Sequence, residues 1–428
     1  MRIVSSTGSL PRFPRRGITF FANLRSLFFG NIDQTEILVR EIRGISHYGG
    51  RLATVLGLLY PSEDNVLVLE QNPPGEALEY FRRLSLSLPK MVSPDDAIVS
   101  LHENPAPSVD GFVTDTSLEE LAARHGKSTI NTQQGCRDAN NKVLLYLHLQ
   151  EAGLPTMDTF LISSPEEFDG AAAELRGLGY ERIVVKSAIG ASGCGLWIHS
   201  LKGPHARPPA YLFHEKPCMV QGWLDDTVVG VSSIGSPSVQ VFVHDDSVWL
   251  YDLTEQYLSR ESIHEGNVAP PPYLAAHPGL EEEILEQAGE IGRFIHATGY
   301  RGTAGIDFIA VMRHDGPHVY ACEVNARVTG ATYPALLARH FRPESSWLMR
   351  NVSFDDAPSV ERILGLLERN GILYFPGRDE GILPFNFNFE DDTLVKSQFL
   401  VISPERSRCD SLLAKTCDLL GTRRFARD

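Results

Sequence analysis

Two short stretches carry side chains that could do chemistry: Gly305-Ile306-Asp307-Phe308 and Glu323-Val324-Asn325-Ala326-Arg327. Together they offer two carboxylates, an amide oxygen and a guanidinium. Residues 302–312 and 318–324 are rich in β-branched and apolar types and read as strands, with Arg313-His314-Asp315-Gly316-Pro317 as the turn between them. A loop symmetric about Asp315 sets Asp307 opposite Glu323 in the antiparallel pair. Asn325 then shares a face with Glu323, because strand side chains repeat every second residue. Like charges placed opposite each other destabilise a sheet, so a cation should bind between them. Such a hard-oxygen set suits Mg²⁺, which keeps waters and takes its other ligands from phosphates. Asp307 and Glu323 by themselves could equally be solvated strand charges. The elements around them decide.

Residues 182–195 read Arg-Ile-Val-Val-Lys-Ser-Ala-Ile-Gly-Ala-Ser-Gly-Cys-Gly. A β-branched strand ending on Lys186 runs into a loop of small residues, 188–195, and Leu196-Trp197-Ile198 leaves it as a second strand. Backbone N–H groups of such a loop can close on an anion without interference from Cβ atoms. The order of residues fits neither a Walker A loop nor a G-x-G-x-x-G turn, since the lysine precedes the glycines and a strand follows them. Upstream, Asn140-Asn141-Lys142 opens a helix that runs through Leu149 and ends at Gly153 and Pro155. The chain has only eight lysines among its 39 basic residues, so a lysine at both 142 and 186 stands out. Downstream, Cys218–Gln221 reads as a strand leading to a hinge, Gly222-Trp223-Leu224-Asp225. Val239–His244 and Val248–Asp252 form a hairpin, followed by Glu255-Gln256 and the segment Arg260–Pro270. Leu280–Ala297 reads as a long helix with an acidic start and Gly299 as its stop.

In this order the parts resemble the ATP-grasp superfamily: helix lysine, strand lysine with a Gly-rich loop, hinge, then an acidic strand pair ending in E-x-N-x-R. The likeness covers roughly residues 131–350. It implies an α/β (α+β) ATP-grasp fold with ATP and Mg²⁺ as cofactors. By that resemblance Lys142 and Lys186 hold the α- and β-phosphates, and the 188–195 loop, with Ser187, Ser192 and Gly193, folds over the triphosphate. Gln221, Gly222, Trp223 and Leu224 line the adenine pocket. Asp307, Glu323 and Asn325 hold one or two Mg²⁺, and Arg327 faces the γ-phosphate. Gln256, Arg260 and His264 fall near the phosphate end.

The implied reaction joins a carboxylate to an amine. At neutral pH the oxygen to be expelled is a poor leaving group, and phosphorylation by ATP makes it a good one. Catalysis is then positioning and charge neutralisation, with no covalent enzyme nucleophile. Cys194 is read as a small residue tolerated in a loop rather than a nucleophile. Tyr333 and Arg339 follow Arg327 closely. Thr329–Thr332 could turn N–H groups toward a developing oxyanion, and Arg339 could pair with a substrate carboxylate or lie on a surface helix. The alternating Asn386 and Asn388 could contact a substrate backbone or cap an edge strand.

The bulk properties agree with this reading. A length of 428 residues allows two or three domains. We expect a preceding α/β domain over 1–130, the grasp core over 131–350 with a lid at about 156–225, and a small C-terminal extension over 351–428. That extension holds a helix over Ser359–Glu368, an extended stretch Gly381–Asn388, a strand Ser397–Ile402 and a helix Leu412–Leu420. This layout resembles natural-product peptide ligases of the pheganomycin type. A net charge of −15 and a pI near 5.4 argue against nucleic acid or an anionic membrane as partner. Six scattered cysteines without C-x-x-C give a reduced, cytoplasmic pattern with no zinc site, and no apolar run reaches membrane-spanning length. The first acidic residue is Asp33; Gly8, Pro11, Pro14 and Gly17 rule out an amphipathic presequence helix, leaving a short basic tail on a folded domain.

The leading expectation is an ADP-forming ligase acting on small-molecule carboxylate and amine substrates, as a monomer or homodimer. Two alternatives remain. One is another ATP-grasp ligase, such as a non-peptide amide synthetase or a carboxylase, although no biotinyl attachment site is recognisable. The other is a catalytically silent nucleotide sensor.

Overall fold

The computed structural model describes residues 1–203, 206–225, 228–259, 264–354 and 356–422. Three sheets organise them. The first is a five-stranded parallel sheet in the order Lys90–Val92, Val66–Val68, Ile18–Phe21, Ser108–Gly111, Ser128–Thr129. Parallel strands need crossovers, and the helices Leu52–Leu59, Gly75–Arg83, Pro94–Ser100 and Thr116–Arg124 supply them. The apolar runs 52–59 and 97–99 therefore belong to helices rather than strands. Short apolar runs do not distinguish the two by pattern alone.

The second sheet is small and antiparallel, in the order Thr159–Ile162, Cys218–Gly222, Arg182–Ala191, Cys194–Ser200. The helix Phe168–Gly177 covers it, burying Phe168, Ala171, Ala172 and Leu175. The third sheet has ten strands. Its path runs Val231–Gly235, Gly302–Arg313, Pro237–Val243, Ser247–Leu258, His264–Ala269, Ser346–Ser353, Thr393–Ser403, Gly381–Glu390, and Gly316–Asn325 pairs beside Gly302–Arg313. The helix Leu280–Ala297 packs on it through Leu280, Ile284, Ala288, Ile291 and Ile295, the three-and-four spacing of one apolar face. Glu281, Glu282 and Glu283 in its first turn complement the helix dipole.

Both chain ends join this third sheet. Arg2–Ser5 is no basic tail but a strand, pairing in parallel with Ser247–Leu250; a four-residue run is too short to show a period. At the other end, Gly381–Glu390 and Thr393–Ser403 extend the same sheet through Ser346–Ser353, and the helix Arg406–Leu420 lies against them. Among the described residues no helix is long and apolar enough to cross a membrane.

Candidate active site

The hairpin Gly302–Arg313/Gly316–Asn325 turns through two residues, His314-Asp315, with Arg313 paired to Gly316. That register alone would set Asp307 against Cys322. A bulge next to Asp307 corrects it: Phe308 pairs with Ala321, Asp307 with Glu323, and Cys322 is the extra residue. The two carboxylates thus face each other, though not through the symmetric loop expected. Asn325 Nδ2 bridges them, donating to Asp307 Oδ2 at 2.8 Å and to Glu323 Oε1 at 3.1 Å. Asn325 Oδ1 accepts from Arg327, whose Nη1 donates to Asn140 Oδ1 at 2.7 Å. Asn140 also accepts from the Ala326 backbone N–H at 3.0 Å, so one buried amide fixes the whole turn after the strand. Asn325 therefore presents its nitrogen to the carboxylates, and as a metal ligand its amide would have to turn over.

Burial raises the Asp307 carboxyl, and facing Glu323 raises it further. Burial also pushes Glu323 up, but the Lys142 ammonium outweighs it and holds Glu323 well below the usual range. Lys142 is the first residue of the helix Lys142–Glu151, capped by Asn141, whose side chain accepts from the Val143 and Leu144 N–H groups at 2.9 and 3.2 Å. Its Nζ lies 2.8 Å from Glu323 Oε2. Lys186 is 9% exposed and has no ion pair or hydrogen bond among the described residues. Burial lowers its pKa, and Lys142 adds to the effect. A buried ammonium without a partner, facing a cavity, is a place for an anion.

The strand Arg182–Ala191 continues past Lys186, so the segment expected as a loop is a hairpin with a tight turn at Ser192-Gly193. Both turn residues have positive φ, 52° and 78°, which matches the twist of the flanking strands. Ser192 and Gly193 line the cavity, and Ser187 does not. The Ser187 hydroxyl donates to Ile189 O at 2.5 Å and accepts from Gln34 Nε2 at 3.1 Å. Gln34 reaches this hairpin from the N-terminal helix Ile32–Glu41. It packs so closely that a Cβ at Gly195 (φ 95°) would collide with both side chains.

All of these groups border one cavity of about 470 Å³. Lys142, Lys186, Trp223, Leu224, Gln256, His264, Asp307, Glu323, Asn325 and Arg327 line it. Gln221 and Gly222 do not; Gln221 turns the other way and donates to Thr159 Oγ1 at 2.7 Å. Arg260 lies outside the described residues. Arg339 is neither on the surface nor in the cavity, because it is buried against Asp252. Of the N–H groups in Thr329–Thr332, that of Thr329 goes to Thr332 Oγ1 at 2.9 Å and that of Thr332 back to Thr329. Asn386 donates to Asn388, which donates to Arg43 O, so this pair ties the edge strand to the N-terminal segment. Burial pushes the Cys194 thiol up to about 11, keeping it protonated at neutral pH. Sequence reasoning missed the anchoring by Asn140 and Gln34. It also missed Tyr48 and Arg51, which pack on each other and, through Arg51, on the distant Tyr333.

The donor set fits a divalent cation. Two part-buried carboxylates facing each other, with Asp307 raised first by desolvation and then by Glu323, are relieved by a cation between them. No third His, Cys, Asp or Glu joins them among the described residues, so the remaining ligands would be phosphate oxygens and water, as Mg²⁺ prefers.

The four-stranded and ten-stranded sheets both contribute to this cavity, Lys186 from the first and Asp307, Glu323 and Asn325 from the second. Residues 139–331 match the profile of the ATP-grasp domain family. Over 283 residues the chain is 25% identical to the [butirosin acyl-carrier protein]–L-glutamate ligase of Niallia circulans. That match spans 64% of this chain and 64% of the relative's length. Among solved structures, the N5-carboxyaminoimidazole synthetase of Staphylococcus aureus superposes with a TM-score of 0.54 at 11% identity, over 98% of this chain and all of that one. The biotin carboxylase of Campylobacter jejuni gives 0.58 at 12%, over 96% and 92%. Residues 139–331 are thus similar to the ATP-grasp domain family, and the solved structures share the fold over most of the chain.

Proposed function

We propose that the protein is an ATP- and Mg²⁺-dependent, ADP-forming ligase that activates a carboxylate, that of an amino acid, and joins it to an amine of an amino acid or peptide. The observation that carries this reading is the convergence of Lys142, Lys186, Arg327 and the Asp307–Glu323 pair on one cavity. A donor carboxylate oxygen attacks the γ-phosphorus, and the bridging oxygen leaves with ADP. The amine nitrogen then attacks the acyl carbon, phosphate departs and the amine loses a proton. Lys142 and Lys186 bind the nucleotide phosphates. Release of Lys142 from Glu323 accompanies that binding and frees the carboxylate. Asp307 and Glu323 hold Mg²⁺, which neutralises phosphate charge when bound. Asn325 and Asn140 orient Arg327 toward the transferring phosphoryl group, where positioning supplies most of the rate. Trp223 and Leu224 furnish apolar surface for the base.

The test is ADP and phosphate release from Mg·ATP with amino acids supplied singly and in pairs, with short peptides, and with mass spectrometry of each positive mixture. The Niallia circulans relative is named for an acyl-carrier protein, so a carrier protein belongs among the acceptors. Release that requires a particular carboxylate and acceptor, with a condensed product and ADP rather than AMP, supports the ligase. ATP binding with no substrate-dependent release supports the silent sensor instead. Peptide ligation of the pheganomycin type is the form of the reaction we favour, with the three-segment division of the chain as its framework.

A further inference from the structure

The cavity has a second charged end that the nucleotide does not account for. Arg51 closes the 3₁₀ segment Ile45–Arg51 and borders the cavity together with Tyr48, His264, Gly330 and Ala331. It is 2% exposed, and its Nε and Nη1 hydrogens have no acceptor among the described residues. Its guanidinium carbon lies 3.4 Å from the Tyr48 ring centre and 4.2 Å from that of Tyr333. Aromatic contacts on its faces hold the group in place but do not satisfy the in-plane N–H bonds of Nε and Nη1. A buried guanidinium in that state is costly unless an acceptor arrives.

The surroundings carry the same sign. Arg51, Lys396 and Arg350 all act on the His264 imidazole, which burial already drives down to about 4. The carboxylate facing this group is Glu265, 3.5 Å from Arg350 and acting also on Lys396. Asp410 also acts on Arg350, whereas no carboxylate is within ion-pairing distance of Arg51 among the described residues. Asp307 is influenced by Glu323 and Arg327, and Glu323 chiefly by Lys142 and Arg327. The cavity is therefore bordered by a second charged group besides these.

We propose that Arg51 forms a substrate-specificity subsite that binds a spectator carboxylate, so that the donor is a dicarboxylate such as an acidic amino acid. One carboxylate would be held at Arg51 while the other is presented for phosphorylation. This rests on the ligase reading for its meaning, but its test does not need turnover. Arg51 is a binding residue here and takes no part in the chemistry.

The experiment is calorimetric titration of the full chain, in the presence of Mg·ADP, with L-glutamate, L-aspartate and glutarate against L-glutamine, L-asparagine and butyrate. At least one dicarboxylate should bind about tenfold to a hundredfold more tightly than its singly charged counterpart, the range for a charge-assisted hydrogen bond. Arg51→Gln should remove that preference and Arg51→Lys restore part of it, with Mg·ADP affinity unchanged in both. Equal affinity for the two sets in the wild type, or no binding of either, overturns the proposal without needing any variant to fold. So does a preference that survives Arg51→Gln. Loss of Mg·ADP affinity in Arg51→Gln overturns it as well and assigns Arg51 to the nucleotide phosphates. A dicarboxylate preference without any carboxylate-dependent ADP formation would leave the subsite standing and sink the ligase reading alone.

Discussion

Two buried ionic clusters in this molecule use the same residue types to opposite ends. Arg339 (7% exposed side chain) and Asp252 (2%) form a closed set. The Arg339 Nε and Nη2 groups donate to the two Asp252 oxygens at 2.9 and 2.8 Å, Trp347 Nε1 donates to the same carboxylate at 3.0 Å, and Arg339 Nη1 reaches the carbonyls of Pro343 and Ser345 at 2.7 Å each. Every nitrogen of the guanidinium and both oxygens of the carboxylate are answered from within the chain. The cluster of Asp307, Glu323, Lys142 and Lys186 is open: both lysines are buried, but the Glu323 side chain is 28% exposed. One carboxyl is raised by burial and by its neighbour, one ammonium has no partner among the described residues, and both face a cavity. Burial of charge does not mark a functional site; burial of charge with bonding capacity left over does.

That contrast can be broken from either side. Glu323→Gln removes a carboxylate from the open set, and turnover should fall by about a thousandfold, comparable to losing a strong transition-state electrostatic contact. Its effect on stability is smaller than that of stranding Asp252, since relief of the like-charge pair with Asp307 offsets the loss of the carboxylate partner of Lys142. Turnover with unchanged Mg²⁺ dependence would make the hairpin carboxylates structural. Arg339→Met opens the closed set and strands a buried carboxylate, at about 3–5 kcal/mol of stability. A denaturant midpoint indistinguishable from wild type would show that Asp252 relaxes to water and the set was never closed. Lys186→Met should raise the KM for ATP about tenfold to a hundredfold, the loss of a charged contact to phosphate, with no loss of thermal stability, because the ammonium it removes has no partner to strand. A destabilised Lys186→Met with normal KM would place that lysine with Arg339.

The same contrast explains what the sequence could reveal. Local patterns gave the helix Leu280–Ala297, the cap at Asn141 and the strand ending in Gly222 almost to the residue, because each depends on neighbours within one or two turns. The facing of Asp307 and Glu323 was anticipated through a symmetric turn, yet the turn is two residues long and the bulge at Cys322 restores the register. Nothing local announces a bulge. Arg339 read as either a surface residue or a substrate contact because Asp252 lies 87 positions away. Arg51 carried half a signal: Tyr48 is three residues before it, but Tyr333 comes from the far side of the chain. The parallel strand Arg2–Ser5 failed for the same reason, its partner being Ser247–Leu250. Distant pairing decided these cases, and one sequence does not print it.

The smallest expected effect tests the positive end of the cavity. The folded protein holds His264 at about 4, against an ordinary value of 6.5, through burial and the nearby charges of Arg51, Lys396 and Arg350, opposed by its bond to Asn267. Between those two values the unfolded chain binds a proton that the folded chain refuses. Stability from this group is therefore complete above pH 6.5 and is lost as pH falls toward 4. Across that window His264→Gln should show a shallower decline than the wild type, by a slope of at most about 1.4 kcal/mol per pH unit, the value for one proton. Denaturation curves at half-unit steps from pH 4 to 7 measure both slopes. Parallel curves would mean that His264 takes up its proton in the folded state, and an imidazolium beside Arg51 would require a counter-anion already at hand.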